Sequence, residues 1–239
     1  MASPELERLL EVQEHDTALD QLRHRRATLP ERAQLADLET RAKAVQAQIA
    51  EAAAARDEVA QRQDGLEADL AATEKRMKEI DQRLFSPTAG VRDMEAMNDE
   101  LSSLKRRRSS LEDQVLETLE AREPLDAAVE KLEAGLAEIE LEGAAVAELL
   151  AQGETVVDAE IEVEQGKRDE VAAGLSEQLA QQYERLRSRL GGIGAARLVG
   201  TSCTGCHLTL PATEIDRIKK APPDAFFTCD QCGRILVVS

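Results

Sequence analysis

Along residues 38–84 apolar side chains recur in alternating steps of four and three: Leu38, Ala42, Val45, Ile49, Ala52, Val59, Leu66, Leu70, Met77, Ile80 and Leu84, with Arg56, Gln63 and Thr73 in the remaining places. A second series runs Leu101, Leu104, Leu111, Val115, Leu125, Val129, Leu132, Leu136, Ile139, Val146 and Leu150, with Arg108, Thr118, Arg122 and Gly143 completing the same alternation. Such a repeat is the mark of a coiled-coil seam. Between the series lies Phe85-Ser86-Pro87-Thr88-Ala89-Gly90, where Pro87 lacks a backbone donor and Gly90 accepts turn conformations. So short a connection forces the helices antiparallel. The pattern predicts a hairpin with arms over about 31–85 and 91–152 and a turn at about 86–90, each arm on the order of 70–80 Å long. Pro124 is expected to kink or break the second arm locally, opposite the small-residue run Ala52-Ala53-Ala54-Ala55.

Flanking elements follow the same grammar. Leu6, Leu9, Val12, Leu19 and Leu22 predict a helix ending near Leu29-Pro30; Ala172, Leu175, Leu179, Tyr183, Leu186 and Leu190 predict another, ending at Gly191-Gly192. Neither persists alone in water, so both are expected to pack on the base of the hairpin. Leu9 and Leu10 are extra apolar positions available to a dimer. Residues Gly153 to Gly166 are acidic and weakly periodic and read as a loop with an extended piece; the acidic run Glu154–Glu164 reads as a solvated surface.

Composition narrows the function classes. The aromatic residues are Phe85, Tyr183, Phe226 and Phe227, Trp is absent, and charged residues make up 32%, a mixture suited to helices packed side by side and poor for walling a deep substrate pocket. No phosphate-cradling glycine loop and no Ser/His/Asp set is present, so neither an enzymatic activity nor a small-molecule substrate is expected. The net charge is −17, but residues 133–170 hold twelve acids against Lys167 and Arg168, while residues 75–108 hold nine bases against six acids. A polyanion would meet the second stretch and be repelled by the first. Nothing approaches a membrane span or an export signal, so a cytoplasmic protein without membrane insertion is expected.

After Gly194 the grammar changes. Cys203-Thr-Gly-Cys206 and Cys229-Asp-Gln-Cys232 are two C-x2-C pairs separated by 22 residues. One tight turn can present two thiolates to one ion, and two such turns complete the tetrahedron that Zn²⁺ prefers. A redox pair and an iron centre are the alternatives. Gly205 and Gly233 stand where knuckles need a positive φ or room beside the sulfurs. His207 reads as a surface residue or a substitute ligand; His15 and His24 read as solvated. Strands are expected at Arg197–Gly200, Ala225–Thr228 and Ile235–Val238, around a small core of Leu198, Leu208, Ile215, Ile218, Phe226 or Phe227, and Leu236. A module this small depends on its metal for folding. The expected architecture is mainly α: residues 1–190 form a helical domain with the coiled-coil hairpin, and 191–239 a C-terminal β zinc ribbon of the C4 type with one structural Zn²⁺.

Tyr183-Glu-Arg-Leu-Arg187, Cys203-Thr-Gly-Cys-His-Leu-Thr-Leu-Pro211 and Cys229-Asp-Gln-Cys-Gly-Arg-Ile-Leu236 resemble a bacterial family that joins a coiled-coil hairpin to a C4-type zinc ribbon. The resemblance implies Cys203, Cys206, Cys229 and Cys232 as metal ligands. It also implies an adaptor or chaperone role, as in relatives associated with flagella or secretion. The candidate contact residues for a protein partner, RNA or DNA are Lys75, Arg76, Lys78, Arg83, Phe85 and Arg92 near the hairpin end, and Lys105, Arg106 and Arg107 further along. Arg108 is expected to point into the seam. The alternative is a transcription regulator that acts on RNA polymerase through its hairpin; such proteins present carboxylates at the apex, whereas here the nearest are Asp81 and Asp93.

Overall fold

The structure is a computed structural model and describes residues 3–85, 90–221 and 227–238. The expected turn, apart from Phe85 and Gly90, lies outside the described residues, as does Phe226. The element order is α1 (Pro4–Ala27), α2 (Pro30–Leu84), α3 (Val91–Ala172), α4 (Glu177–Arg189), β1 (Ala195–Val199), β2 (Ser202–Cys203), α5 (Ala212–Lys220), β3 (Phe227–Thr228) and β4 (Ile235–Val238). Two compact units result: residues 34–146 form one, and the segments 1–33 and 147–239 together form the other. Among the described residues no helix is long and apolar enough to cross a membrane.

The 34–146 unit is the antiparallel hairpin. Every one of the fourteen and fifteen positions in the two series is buried or half-buried, Arg108 included. The buried hydroxyls of Thr73 and Thr118 donate to carbonyls of their own helices, Asp69 O and Val115 O, each at 2.8 Å, so polar seam residues leave no unmet donor. Arg76 pairs with Glu100 at 2.8 Å and Arg107 with Asp69 at 3.6 Å. The two pairs stand seven residues apart on each arm, so the register does not slip between them. Pro124 does not break the second arm: α3 runs through it, alongside the α2 stretch that places Arg56 4.0 Å from Asp126.

The second unit overturns the loop expected at 153–166, which is helical and continues to Ala172. Its covered face runs through Gly153, Val157, Ile161, Glu164, Arg168 and Val171, all buried or half-buried. A glycine and two charged residues occupy three of those six places, which is why apolar spacing failed to reveal it. The acidic run is also not simply solvated. Glu154 pairs with Arg26 and Arg32, Asp158 with Arg26 at 2.6 Å, Glu160 with Arg25 at 2.8 Å, and Glu164 with His15 at 2.6 Å. His15 is therefore half-buried and partnered; His24 is exposed as expected.

Helix α1 organises this unit. Leu6, Leu9, Leu10 and Val12 pack with Leu179 and Tyr183 of α4 and with Ala195, Ile235 and Val237 of the sheet, so Leu9 and Leu10 are spent inside the fold and offer nothing to a dimer. Two polar residues sit on the same apolar face. Asp16, 3% exposed, accepts from Tyr183 Oη at 2.7 Å and Arg168 Nε at 3.2 Å, with Arg187 Nε at 3.5 Å. Gln13 Oε1 accepts from the N–H of Gly194 at 2.7 Å, and its amide donates to Gly192 O at 3.0 Å. One helix thereby ties α3, α4 and the entry to β1. Burial and the Asp16 hydrogen bond push the Tyr183 hydroxyl pKa far up.

The sheet has the order β2-β1-β4-β3, with β1 and β4 parallel and the outer pairings antiparallel. Side chains alternate across it. Ala195, Ile235 and Val237 face the helices, whereas Ala196, Leu198 and Leu236 join Leu210, Ile215 and Ile218 of the opposite core. Leu208, expected inside, is exposed; Leu210 takes its place because the backbone reverses sharply after Cys206. Phe227 is half-buried against that core.

Removing the hub should be costly. Asp16→Ala strands the buried Tyr183 hydroxyl and leaves Arg168 with Glu184 and Arg187 with Asp20 as their remaining partners, and denaturant unfolding should register a loss of about 2–3 kcal/mol; Tyr183→Phe should cost about 1–2 kcal/mol. Acid should also weaken this unit. Hydrogen bonds from His15 and Lys167 hold the Glu164 carboxyl below the usual range, and those of Ser176 do the same to Glu5. A depressed carboxyl contributes stability above its ordinary pKa and loses it as pH falls through the lowered value. Thermal melts followed by circular dichroism should therefore hold their midpoint down to about pH 5 and decline below about pH 4.

Candidate metal centre

The centre is built from two copies of one backbone device. In the first, Cys203 N–H donates to Leu208 O at 3.1 Å and His207 N–H to Cys203 O at 2.8 Å; in the second, Cys229 N–H donates to Arg234 O at 2.8 Å and Gly233 N–H to Cys229 O at 2.7 Å. The residue after each second cysteine closes the turn in the left-handed region, at φ 61° for His207 and 74° for Gly233. Glycine is at ease there and histidine is strained. His207 is thus a conformational element, exposed and outside the cysteine cluster.

The two turns bring the four Sγ atoms within 4.8 Å of one another. Cys203 Sγ lies 4.0 Å from Cys232 Sγ and Cys206 Sγ 3.9 Å from Cys229 Sγ. A tetrahedron with 2.3 Å metal–sulfur bonds has edges of about 3.8 Å, so the cluster fits one zinc ion and is too open for disulfides. Burial pushes the Cys203 thiol up and the Cys229 thiol up to about 12. For Cys232 burial acts the same way but is outweighed by hydrogen bonds from the Arg234 backbone and side chain and from the neighbouring thiols, which draw it down to about 7. A bound dication would override both tendencies and favour all four as thiolates.

Arg234 braces the site from outside. Its guanidinium donates to Ile193 O at 3.0 Å and Leu190 O at 3.4 Å, linking the second knuckle to the end of α4. It also explains Gly205: a Cβ there would stand 2.6 Å from Arg234 Cδ and 2.9 Å from Ala196 Cβ. Helix α5 covers the apolar side of the knuckles with Ile215 and Ile218. Its Glu214 is buried, and burial together with Asp230 raises its carboxyl pKa.

With this geometry established, comparison with known proteins is decisive. A family model for the CT398-like coiled-coil hairpin domain matches residues 12–191. The chain belongs to this family. A second model, the C4-type zinc ribbon domain, matches residues 202–236. An uncharacterised Mycobacterium tuberculosis protein is 31% identical over 229 residues, covering 96% of this chain and 93% of the relative. A solved Mycobacterium smegmatis structure is similar at a TM-score of 0.86 and 27% identity, covering 99% of both chains. CT398 from Chlamydia trachomatis shares the fold at a TM-score of 0.74 and 17% identity, covering 98% of both chains. The chain is a coiled-coil protein with a zinc ribbon fit for one structural zinc.

The basic candidates are distributed rather than gathered. Lys75, Arg76, Lys78, Arg83 and Arg92 are exposed near the hairpin end with Phe85, which is 79% exposed. Lys105, Arg106 and Arg107 are exposed on α3 beside Asp69 of α2. Arg76 and Arg107 are ion-paired, whereas among the described residues Lys75, Lys78, Lys105 and Arg106 form no salt bridge. The sequence reading missed Asp16, Gln13 and Arg234. A signal existed for the first: Asp16 falls between Val12 and Leu19 at helical spacing, on the apolar face.

Metal analysis of the protein prepared under reducing conditions is expected to give one zinc per chain, and Cys203→Ser or Cys232→Ser should lower it by more than half. His207→Ala should leave it unchanged. Gly233→Ala should cost about 1 kcal/mol in unfolding measurements, and His207→Gly should gain up to about the same amount.

Proposed function

We propose that the chain is a non-enzymatic adaptor in which Cys203, Cys206, Cys229 and Cys232 hold one structural zinc and the hairpin presents cations to a polyanion. Nucleic acid is the best-fitting partner, with an acidic protein face as the alternative within the same chemistry. Four thiolates complete the coordination of zinc and leave no open position for a substrate or an activated water, which supports a scaffold over a catalyst. The observation that carries the binding role is the run of exposed cations toward the hairpin end that form no salt bridge among the described residues, Lys75, Lys78, Arg83, Arg92, Lys105 and Arg106, on a molecule of net charge −17. Such side chains lose little on meeting phosphate, because no internal partner has to be released. The RNA polymerase reading has less support: Asp81 and Asp93 belong to α2 and α3 and not to the apex.

Fluorescent RNA and DNA, single- and double-stranded, titrated across a salt series, test this reading. The wild type is expected to bind at low salt. A variant carrying Lys105→Gln, Arg106→Gln and Arg107→Gln should bind more weakly, its salt slope for single strands reduced by about 2. Absence of binding at low salt, where screening is weakest, would overturn the nucleic-acid role.

A further inference from the structure

Helix α3 carries two seams over its last third. One, through Gly153, Val157, Ile161 and Glu164, is covered. The other runs Leu149, Gln152, Val156, Ala159, Val163 and Gly166 with the same alternation of three and four, and every member is exposed. Leu149, Val156 and Val163, at seven-residue spacing, are 54%, 54% and 61% exposed. A strip of that spacing, about 27 Å long, matches another helix and not a strand or a small molecule. The small side chains at Ala159 and Gly166 let a second backbone come close.

The edges of the strip select the occupant. Glu148 and Glu162 flank one side and form no salt bridge among the described residues, while on the other side Glu160 is paired with Arg25 at 2.8 Å and Lys167 with Glu164 at 3.1 Å. Residues 133–170 hold twelve acids against two bases. Nucleic acid is repelled by this field, and a second copy of the strip would set acid against acid. We infer that the exposed face of α3 from Leu149 to Gly166 docks a basic amphipathic helix of another protein, its apolar stripe on Leu149, Val156 and Val163 and its lysines or arginines against Glu148 and Glu162. This rests on the adaptor reading but is independent of the cations at Lys75–Arg107. It gives the chain one surface for a polyanion and a separate surface for a polycation.

The full-length protein can be tested with a designed helical peptide bearing Leu and Ala at the seam positions and Lys and Arg at the flanks, beside a sister peptide with Glu at the flanks. Fluorescence anisotropy at about 150 mM salt should show the basic peptide bound at least about tenfold more tightly than the acidic one. The triple variant Leu149→Gln, Val156→Gln, Val163→Gln should weaken that binding by at least about tenfold. Glu148→Lys with Glu162→Lys should reverse the preference between peptides. All these positions are exposed, so thermal melts should stay unchanged. Hydrogen exchange should slow across residues 149–166 when the basic peptide binds. No binding up to about 100 μM, equal binding of both peptides, or binding indifferent to the variants overturns the inference. So does concentration-dependent self-association of the free protein, seen by sedimentation, that the triple Gln variant abolishes, because the occupant is then a second copy. The Lys105, Arg106 and Arg107 variant should bind the peptide normally, and the strip variants should bind RNA normally, so failure of one reading is distinguishable from failure of the other.

Discussion

The carboxylate of Asp16 is the constraint on which the zinc-bearing unit is assembled. A carboxylate at 3% exposure is tolerable only where its charge is answered. Here the answers come from different elements: Arg168 near the end of α3, and Tyr183 and Arg187 one turn apart on α4. Any arrangement that withdraws one of those helices leaves a buried ion short of partners. The geometry is therefore specified and not merely stabilised, as apolar contacts alone would allow the helices to slide. This is also the physical content of the Tyr183-to-Arg187 motif, whose two ends converge on one carboxylate.

The sheet passes that order on to the metal. Because β1 and β4 are parallel and two-sided, their residues alternate between the core shared with α1 and α4 and the core around the cysteines. The four cysteines lie behind one face, and α1 and α4 behind the other. Arg234 repeats the connection from outside, with its backbone in the second knuckle and its guanidinium on carbonyls at the end of α4. A metal held by the four cysteines would thus steady more than its own ribbon, because the same strands and Arg234 reach the helices.

Much of this was legible in the sequence, for reasons that also explain the failures. The hairpin seam could be read because its period survives polar substitution: Arg56, Thr73 and Arg108 keep their places without breaking the alternation. The cysteines could be read because two-residue spacing is a chemical requirement. The helix over 153–172 could not be read, because its covered face consists partly of Gly153, Glu164 and Arg168, whose partners lie about 150 residues away in α1. Its acidic run resembled a solvated face until Arg25, Arg26 and Arg32 supplied the countercharges. Helix α5 is nine residues long, too short for periodicity to declare itself, although Ile215 and Ile218 were recognisable as core. The left-handed turn at His207 had no signal in its own residue and becomes visible only by superposing one knuckle on the other.

The uninterrupted heptad in the hairpin has a consequence for how such chains diverge in length. With Arg76–Glu100 and Asp69–Arg107 seven residues apart on both arms, a block of seven removed from one arm must be matched by seven from the other. An unmatched heptad would keep apolar residues on the seam but shift pairs such as Arg76–Glu100 out of register, whereas a deletion that is not a multiple of seven would turn polar residues into the seam from that point on. Paired heptads can be gained or lost without disturbing the seam that remains. Arm length is therefore an adjustable property of the hairpin, quantised in steps of about 10 Å.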